Sequence, residues 1–293
     1  MRLAPYAAAL ALSLASSFAA AEPMPARETA DVLPPKSFEI GVFSPARIGL
    51  PHVELEVHPL AALVAPHVDA RFWLRRPASL GDVRFSWVLG LAVPTPALRL
   101  AKPLGLAGDL VPSCKVAAVE PNAARWCQES GWVVAPKLAL WMSKGVVRGG
   151  EERGVFTMLA EATKGLVVAG EAARPLDAWA PVTTQLAPYL GGFRADLRAR
   201  YDHAVLDGLR LRGELGATWI GRPADDPLSP LFLMAYVGAD VRTSPHTRIT
   251  AGVVAWNADK HERVVVTNAD GFAEVSYVRS YELWPAVDFV WRY

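Results

Sequence analysis

Charged side chains recur at every second position through much of this chain, and that spacing sets them in rows. Between Phe193 and Asp202, the residues Arg194, Asp196, Arg198, Arg200 and Asp202 alternate with Phe193, Ala195, Leu197, Ala199 and Tyr201. Between Leu209 and Trp219, the residues Arg210, Arg212 and Glu214 alternate with Leu209, Leu211, Gly213, Leu215, Ala217 and Trp219. The same alternation puts Glu54 and Glu56, then Asp69, Arg71 and Arg75, then Arg84, and finally Glu282, Asp288 and Arg292 on the polar side of their runs. A strand turns successive side chains to opposite faces, so each run holds its charges in one line. Arginine outnumbers lysine 23 to 7, and the planar, forked guanidinium suits fixed ion pairs. Two roles are open to such rows. They line a conduit and shape its field and ion preference, or they neutralise one another and brace a nearly closed interior.

Catalytic chemistry has less support. His58 shares a face with Glu54 and Glu56, which would orient an imidazole, and Ser44 and Ser86 are possible neighbours. No nucleophile elbow, Walker loop, HExxH helix or dinucleotide fingerprint is present. No catalytic residue, metal site or cofactor is therefore assigned, and the chain is expected not to be an enzyme. Cys114 and Cys127 lie close together in one irregular stretch and are expected to form a disulfide, because no histidine nearby completes a metal-ligand set.

The termini and composition narrow the setting. Arg2, an Ala/Leu-rich stretch from Leu3 to Phe18 and Ala19-Ala20-Ala21 have the form of a cleaved secretory signal peptide over residues 1–21. The proline-rich residues 22–36 are expected to be a periplasmic segment, with the folded domain over 37–293. Beyond Ala21 no stretch supplies the ~20 apolar residues of a spanning helix. Yet the chain is 52% hydrophobic, with mean hydropathy +0.20 and ten tryptophans. A net charge of +1 gives no preference for nucleic acid.

Period-two runs broken by Gly, Pro, Asp and Asn predict strands over Ser37–Phe43, Val53–His58, Pro66–Arg75, Asp82–Val93, Trp132–Met142, Gly154–Thr163, Gly165–Gly170, Phe193–Ile220 (a hairpin), Leu231–Asp240, Thr247–Asn257 and Phe272–Tyr293. Ala178–Leu190 is ambiguous between helix and strand. Residues 94–130 and 257–271 are expected to be long loops. A hairpin turn centred near Leu206 would set Tyr201 against Leu211, Asp202 against Arg210 and Arg198 against Glu214. It would also set Arg200 unfavourably against Arg212. The total is about twelve strands, or alternatively ten.

Alternation alone fits either a soluble sandwich with its apolar face inside or a membrane barrel with its apolar face in lipid. Aromatics decide. Phe193 and Trp219 lie at one end of the apolar row and Tyr201 at the other, as in the two interfacial girdles of a membrane barrel. The last segment repeats the pattern: Tyr281, Leu283, Val287, Phe289, Trp291 and Tyr293 form an outer row that ends on the terminal aromatic. With the exported N-terminus and the strand series, this resembles the bacterial outer-membrane β-barrels, porin-like or uncharacterised. The resemblance implies an all-β, antiparallel, up-and-down transmembrane barrel in the outer membrane. It also implies an assembly signal in the final strand, read by the outer-membrane assembly machinery, and contact with outer-membrane lipid and lipopolysaccharide. The expected function is a narrow channel or passive transporter for small solutes. A non-conducting structural or adhesive barrel and an outer-membrane lipid-modifying enzyme are the alternatives.

Overall fold

The computed structural model describes residues 24–94, 132–169, 184–185, 187–221, 230–267 and 273–293. The signal segment 1–21, Cys114, Cys127 and all but the first residue of the loop 94–130 lie outside the described residues.

Strands dominate: β1 (Phe38–Gly41), β2 (Ala46–Gly49), β3 (Val53–Val57), β4 (His67–Arg75), β5 (Val83–Ala92), β6 (Trp132–Arg148), β7 (Glu151–Lys164), β8 (Leu166–Ala169), β9 (Phe193–Leu206), β10 (Leu209–Ile220), β11 (Leu231–Arg242), β12 (Thr247–Thr267) and β13 (Ala273–Arg292). A short helix, α1 (Pro59–Val64), joins β3 to β4, and among the described residues of the ambiguous region Ala187–Leu190 forms a 3-10 turn. Every strand pairs antiparallel with its neighbour, β5 with β6 included, and β13 returns to β1 with Glu39 opposite Arg292. The sheet therefore closes. β8 carries the line of β7 onward along β6 after Gly165, whose N–H turns to the carbonyl of Gly192. The wall thus has twelve strands, the preferred of the two expected numbers. Pro136 of β6 is tolerated because it lies opposite the break between β7 and β8, where the ladder is already interrupted.

One end of the barrel carries tight turns. Gly149 and Gly150, both at positive φ (65° and 83°), join β6 to β7 in two residues, a geometry open to glycine. Asp207-Gly208 joins β9 to β10, and residues 243–246 join β11 to β12. Short turns mark the periplasmic end of such barrels.

Two sequence expectations are corrected here. The β9–β10 hairpin turns at Asp207-Gly208, so Arg212 stands opposite Asp202 and Arg200 opposite Glu214. The Arg200–Arg212 clash disappears, and the Asp-Gly pair is the hairpin signal that fixes this register. The loop expected over 257–271 is largely strand, because β12 runs to Thr267 and β13 starts at Ala273. Apolar alternation fades in a strand that continues above a bilayer, where both faces meet water, so the extension is invisible to a period-two search.

The interior decides between lipid and water outside. Leu197, Leu211, Leu215, Val237, Leu283 and Phe289 are exposed on the outer surface. Arg71, Arg194, Asp202, Arg210, Glu214 and Asp240 are buried within. An apolar outside around a charged inside is the membrane arrangement.

Candidate functional site in the barrel lumen

The lumen is filled in its periplasmic half by the chain's own N-terminal segment. Sequence expectation placed residues 22–36 outside the barrel; residues 24–33 instead lie within it. The segment enters beside the β9–β10 turn, where the Met24 N–H bonds the Asp207 carbonyl at 3.0 Å. It arches upward and returns to the same end, where Pro34 and Leu33 pack against Gly49 so closely that a Cβ there would collide with their backbone. Ala30 is fully buried at the top of the arch. This is not a strand or helix, and no periodicity announces it.

Arginines of the wall grip the main chain of the segment. Arg210 donates to the Met24 carbonyl (2.6 Å), Arg248 to Pro25 (3.1 Å), Arg200 to Glu28 (3.2 Å), Arg71 to Thr29 (2.7 Å) and Arg47 to Asp31 (3.4 Å). The wall also accepts from the segment: the Ser143 hydroxyl takes the Ala30 N–H (2.8 Å) and the Glu54 carboxylate takes the Leu33 N–H (2.7 Å). A segment without secondary structure must pair its buried backbone groups with something, and here the wall supplies the partners. Side chains reinforce the grip. Glu28 bridges Arg200 (2.8 Å) and Arg212 (3.8 Å), Arg27 meets Glu39 (3.2 Å), and Asp31 meets Arg84 (3.1 Å). Glu28 sits at φ 51°, a left-handed conformation uncommon outside glycine. Burial alone would raise the Glu28 carboxyl, but Arg200, Arg212 and Arg27 outweigh it and hold it below the ordinary carboxylate range.

The wall arginines are also paired with carboxylates of the wall. Arg212 bridges Asp202 (2.9 Å) and Asp240 (3.3 Å), Arg200 bonds Glu214 (2.7 Å), and Arg47 holds Glu54 through two bonds (2.7 and 2.9 Å). Arg71 reaches Glu56 (3.3 Å) and lies over the Trp141 ring at 4.5 Å. Taken out of water, such charges are tolerable only with partners of this quality.

Above the arch the lumen opens into a cavity of about 230 Å³ whose lining includes Glu28, Asp69, Trp141, Lys137, Glu161, Arg194 and Arg198. Lys137 pairs with Asp69 and lies 3.6 Å from Glu161. Arg194 pairs with Asp196, with Glu161 at 2.8 Å and with Gln185 at 2.7 Å. Arg198 stands 3.5 Å from Asp196 and 3.6 Å from Glu214. His67 is fixed as the neutral Nδ1–H tautomer: Nδ1 bonds the Ala65 carbonyl (2.8 Å), while Nε2 accepts from the His58 N–H (3.0 Å).

Most of the charged residues singled out in the sequence therefore meet in one interior: Glu54, Glu56, Asp69, Arg71, Arg84, Arg194, Asp196, Arg198, Arg200, Asp202, Arg210, Arg212 and Glu214. Three stand apart from the ladder and one is corrected. Asp288 caps the β1–β2 turn, Glu282 accepts from the exposed Trp284 indole at 3.4 Å, and Arg292 faces Glu39 across the β1–β13 seam. Arg75 is exposed, because a register shift between Trp73 and Arg75 carries it out of the wall. Glu54 and Glu56 are spent on arginines, and Ser44 bonds Asp288. Sequence reading missed Arg47, Glu39, Lys137, Glu161, Asp240 and Arg248. Parity along β6, β7, β11 and β12 would have found Lys137, Glu161, Asp240 and Arg248. Arg47 lies on a four-residue strand too short to show a period, whereas Glu39 lies on the polar side of the run over Ser37–Phe43. Tyr281, Leu283, Val287, Phe289, Trp291 and Tyr293 form one exposed outer row, as expected.

A closed, twelve-stranded antiparallel barrel with a lipid-facing apolar exterior and a charged lumen is an outer-membrane β-barrel. No family model matches the chain, and no curated protein does. Among solved structures it is similar to the outer-membrane expressed OmpT of Vibrio cholerae, at 8% identity and a TM-score of 0.44, over 87% of this chain and 64% of the other. It is also similar to a loop L8 deletion mutant of that OmpT, at 6% identity and a TM-score of 0.42, over 87% and 62%. The chain thus spans less than two thirds of the length of these barrels. At these values the likeness gives this chain no activity of its own. The expectation that the chain is not an enzyme is corrected to an open question, because the lack of a recognised catalytic motif excludes no activity.

Proposed function

We propose that the protein is a gated outer-membrane passage for small charged solutes, held shut at rest by residues 24–33. The observation that carries this reading is the grip of five wall arginines on the carbonyls of that arch. An arch held through its main chain closes the periplasmic half of the lumen while leaving the cavity above it accessible to a ligand. The wall beneath is already lined with arginines and carboxylates, so withdrawal of the arch would expose a charged path rather than an apolar one. This refines the expected narrow channel into a plugged one, and it joins the two roles open to the charged rows: bracing when the arch is docked, lining when it is not.

The test is planar-bilayer recording from purified protein. The full chain is expected to be silent. A variant lacking residues 24–33, shown to be a folded barrel by a heat-dependent gel shift, is expected to give discrete conductance steps. Silence of the folded deletion variant would sink the proposal. Outer-membrane lipid as the surrounding solvent, and the assembly machinery as the reader of β13, belong to the same proposal; they rest on the outward aromatic row.

A further inference from the structure

Arginines crowd the periplasmic mouth on the side of β11, β12 and β13. Arg242 is the last residue of β11, Arg248 the second of β12 and Arg292 the last of β13. All three sit on inward rows, in line with the buried Asp240, Thr250 and Val290. Arg242 stands directly opposite Arg248 in the β11–β12 register. Like charges directly opposite on one face repel.

The carboxylates of this region are already taken. Asp240, the inward residue before Arg242, holds Arg212 at 3.3 Å and accepts the Thr250 hydroxyl at 2.7 Å. Glu39 serves Arg27 at 3.2 Å as well as Arg248 at 3.5 Å. Arg292 has no ion-pair partner among the described residues. One strand away on β10, the buried Arg210 holds the Met24 carbonyl but leaves Nε and Nη2 without an acceptor there. Positive charge at the mouth therefore exceeds what these carboxylates balance.

The β11–β12 turn is fixed beside these strand ends. The Ser244 hydroxyl accepts the N–H groups of His246 (3.2 Å) and Thr247 (3.0 Å). His246 donates from Nδ1 to the Arg292 carbonyl at 3.1 Å, which ties the turn to the end of β13. Between the turn, the strand ends and Met24-Pro25 of the arch lies a cavity of about 270 Å³. Among the described residues its charged lining is Arg242, Arg248 and Arg292, with His246 beside them and no carboxylate. Guanidinium groups present paired N–H donors that match the oxygens of a phosphate or carboxylate. An anion between Arg242 and Arg248 turns their repulsion into two attractions, and three cations around one cavity favour an ion with several charges. The arginines point inward, so the ion comes from periplasmic water and not from lipid head groups outside the wall.

We infer that this pocket binds a soluble, multiply charged oxyanion of the phosphate or polycarboxylate type. It lies at the opposite end of the lumen from the outer chamber, and its occupancy is measured without conduction, so it stands independently of gating.

Equilibrium dialysis of the purified full chain in dodecyl maltoside against radiolabelled pyrophosphate, in a chloride buffer of physiological ionic strength, tests this. Saturable binding of one ion per barrel is expected. Arg292→Gln and Arg242→Gln, each confirmed as a folded barrel by the gel shift, are expected to weaken it about tenfold, the loss of one hydrogen bond to a charged group. Arg153→Gln removes a charge at the same end of the barrel from a side chain paired with Glu151 and Asp207, and is expected to leave binding unchanged. If the pocket variants do not assemble, the wild-type chain decides: pyrophosphate is expected to shield Arg242 and Arg292, but not Arg153, from phenylglyoxal, as read by mass spectrometry. Absence of saturable binding, equal weakening by Arg153→Gln, or equal shielding of Arg153 would overturn the site. So would displacement of pyrophosphate by phosphatidylglycerol in mixed micelles, which assigns the arginines to lipid. Binding that appears only in Glu22→Gln would assign the pocket to the chain's own carboxylate and overturn it as well.

Discussion

The two halves of the lumen use the same residue types to opposite ends. In the periplasmic half, arginine and carboxylate are sealed against a segment of the same chain: Arg212, Asp202 and Asp240 are all buried, and each has a named partner. In the outer half, Arg198 and Lys137 keep 27% and 23% of their side-chain surface, and Arg198 stands beyond 3.4 Å from both of its carboxylates. A charge that has lost its water depends wholly on its partner, whereas one that keeps water does not. The contrast separates a closure from a binding chamber, and alternation along the strands cannot separate them.

The contrast is open to direct attack. Arg212→Ala leaves Asp202 and Asp240 buried without their shared cation, and it is expected to cost about 3–5 kcal/mol in urea unfolding from detergent or lipid. Arg198→Ala, its counterpart above, is expected to cost no more than about 1 kcal/mol. Equal losses would mean that the halves do not differ.

Glu28→Gln keeps the shape of the arch but removes the charge shared by Arg200 and Arg212. A loss of about 1–3 kcal/mol in docking is expected, seen as brief conductance openings in a chain otherwise silent. Lys137→Met is expected to fall between the two arginine variants, because Asp69 is buried whereas Glu161 retains Arg194. Tyr293→Ala touches neither half: His246 stacks on the ring at 5.3 Å on the outside. Little change in unfolding is expected, but less barrel should reach the outer-membrane fraction, as measured by the gel shift.

The smallest expected effect is that of mild acid. The Glu28 carboxyl is held below its ordinary range, so its contribution is complete above the unfolded value of about 4.3 and is lost only as pH falls toward the lowered folded value. Bilayer silence should therefore persist from neutral pH to about 5. Opening within that window would assign the latch to another group.

Much of the wall was legible because a strand in a membrane obeys one rule along its whole length. Phe193–Asp202 and Leu209–Trp219 show their inward and outward residues in sequence, and Tyr281–Tyr293 shows them again with aromatic ends. What failed did so for physical reasons. Ala46–Gly49 is too short for a period to appear. Arg75 follows a register shift that alternation does not anticipate. The strand beyond Asn257 has left the region where one face must be apolar. In the β9–β10 hairpin, charge pairing alone admits a turn at Leu206, whereas the Asp207-Gly208 turn sets the register.

Sequence by itself determined the class of wall: which residues meet lipid, which meet each other, and about how many strands carry them. Each of those follows from the local period of a strand and the cost of exposing charge to hydrocarbon. Only the tertiary structure decided what the wall encloses. Residues 24–33 have no period of their own, and their place depends on arginines brought together from β2, β4, β9, β10 and β12. Likewise, among the described residues, only the fold sets the short β1 and β2 beside β13, a strand from the far end of the chain. Contacts between residues more than two hundred positions apart are set by closure of the sheet, and no local pattern records them.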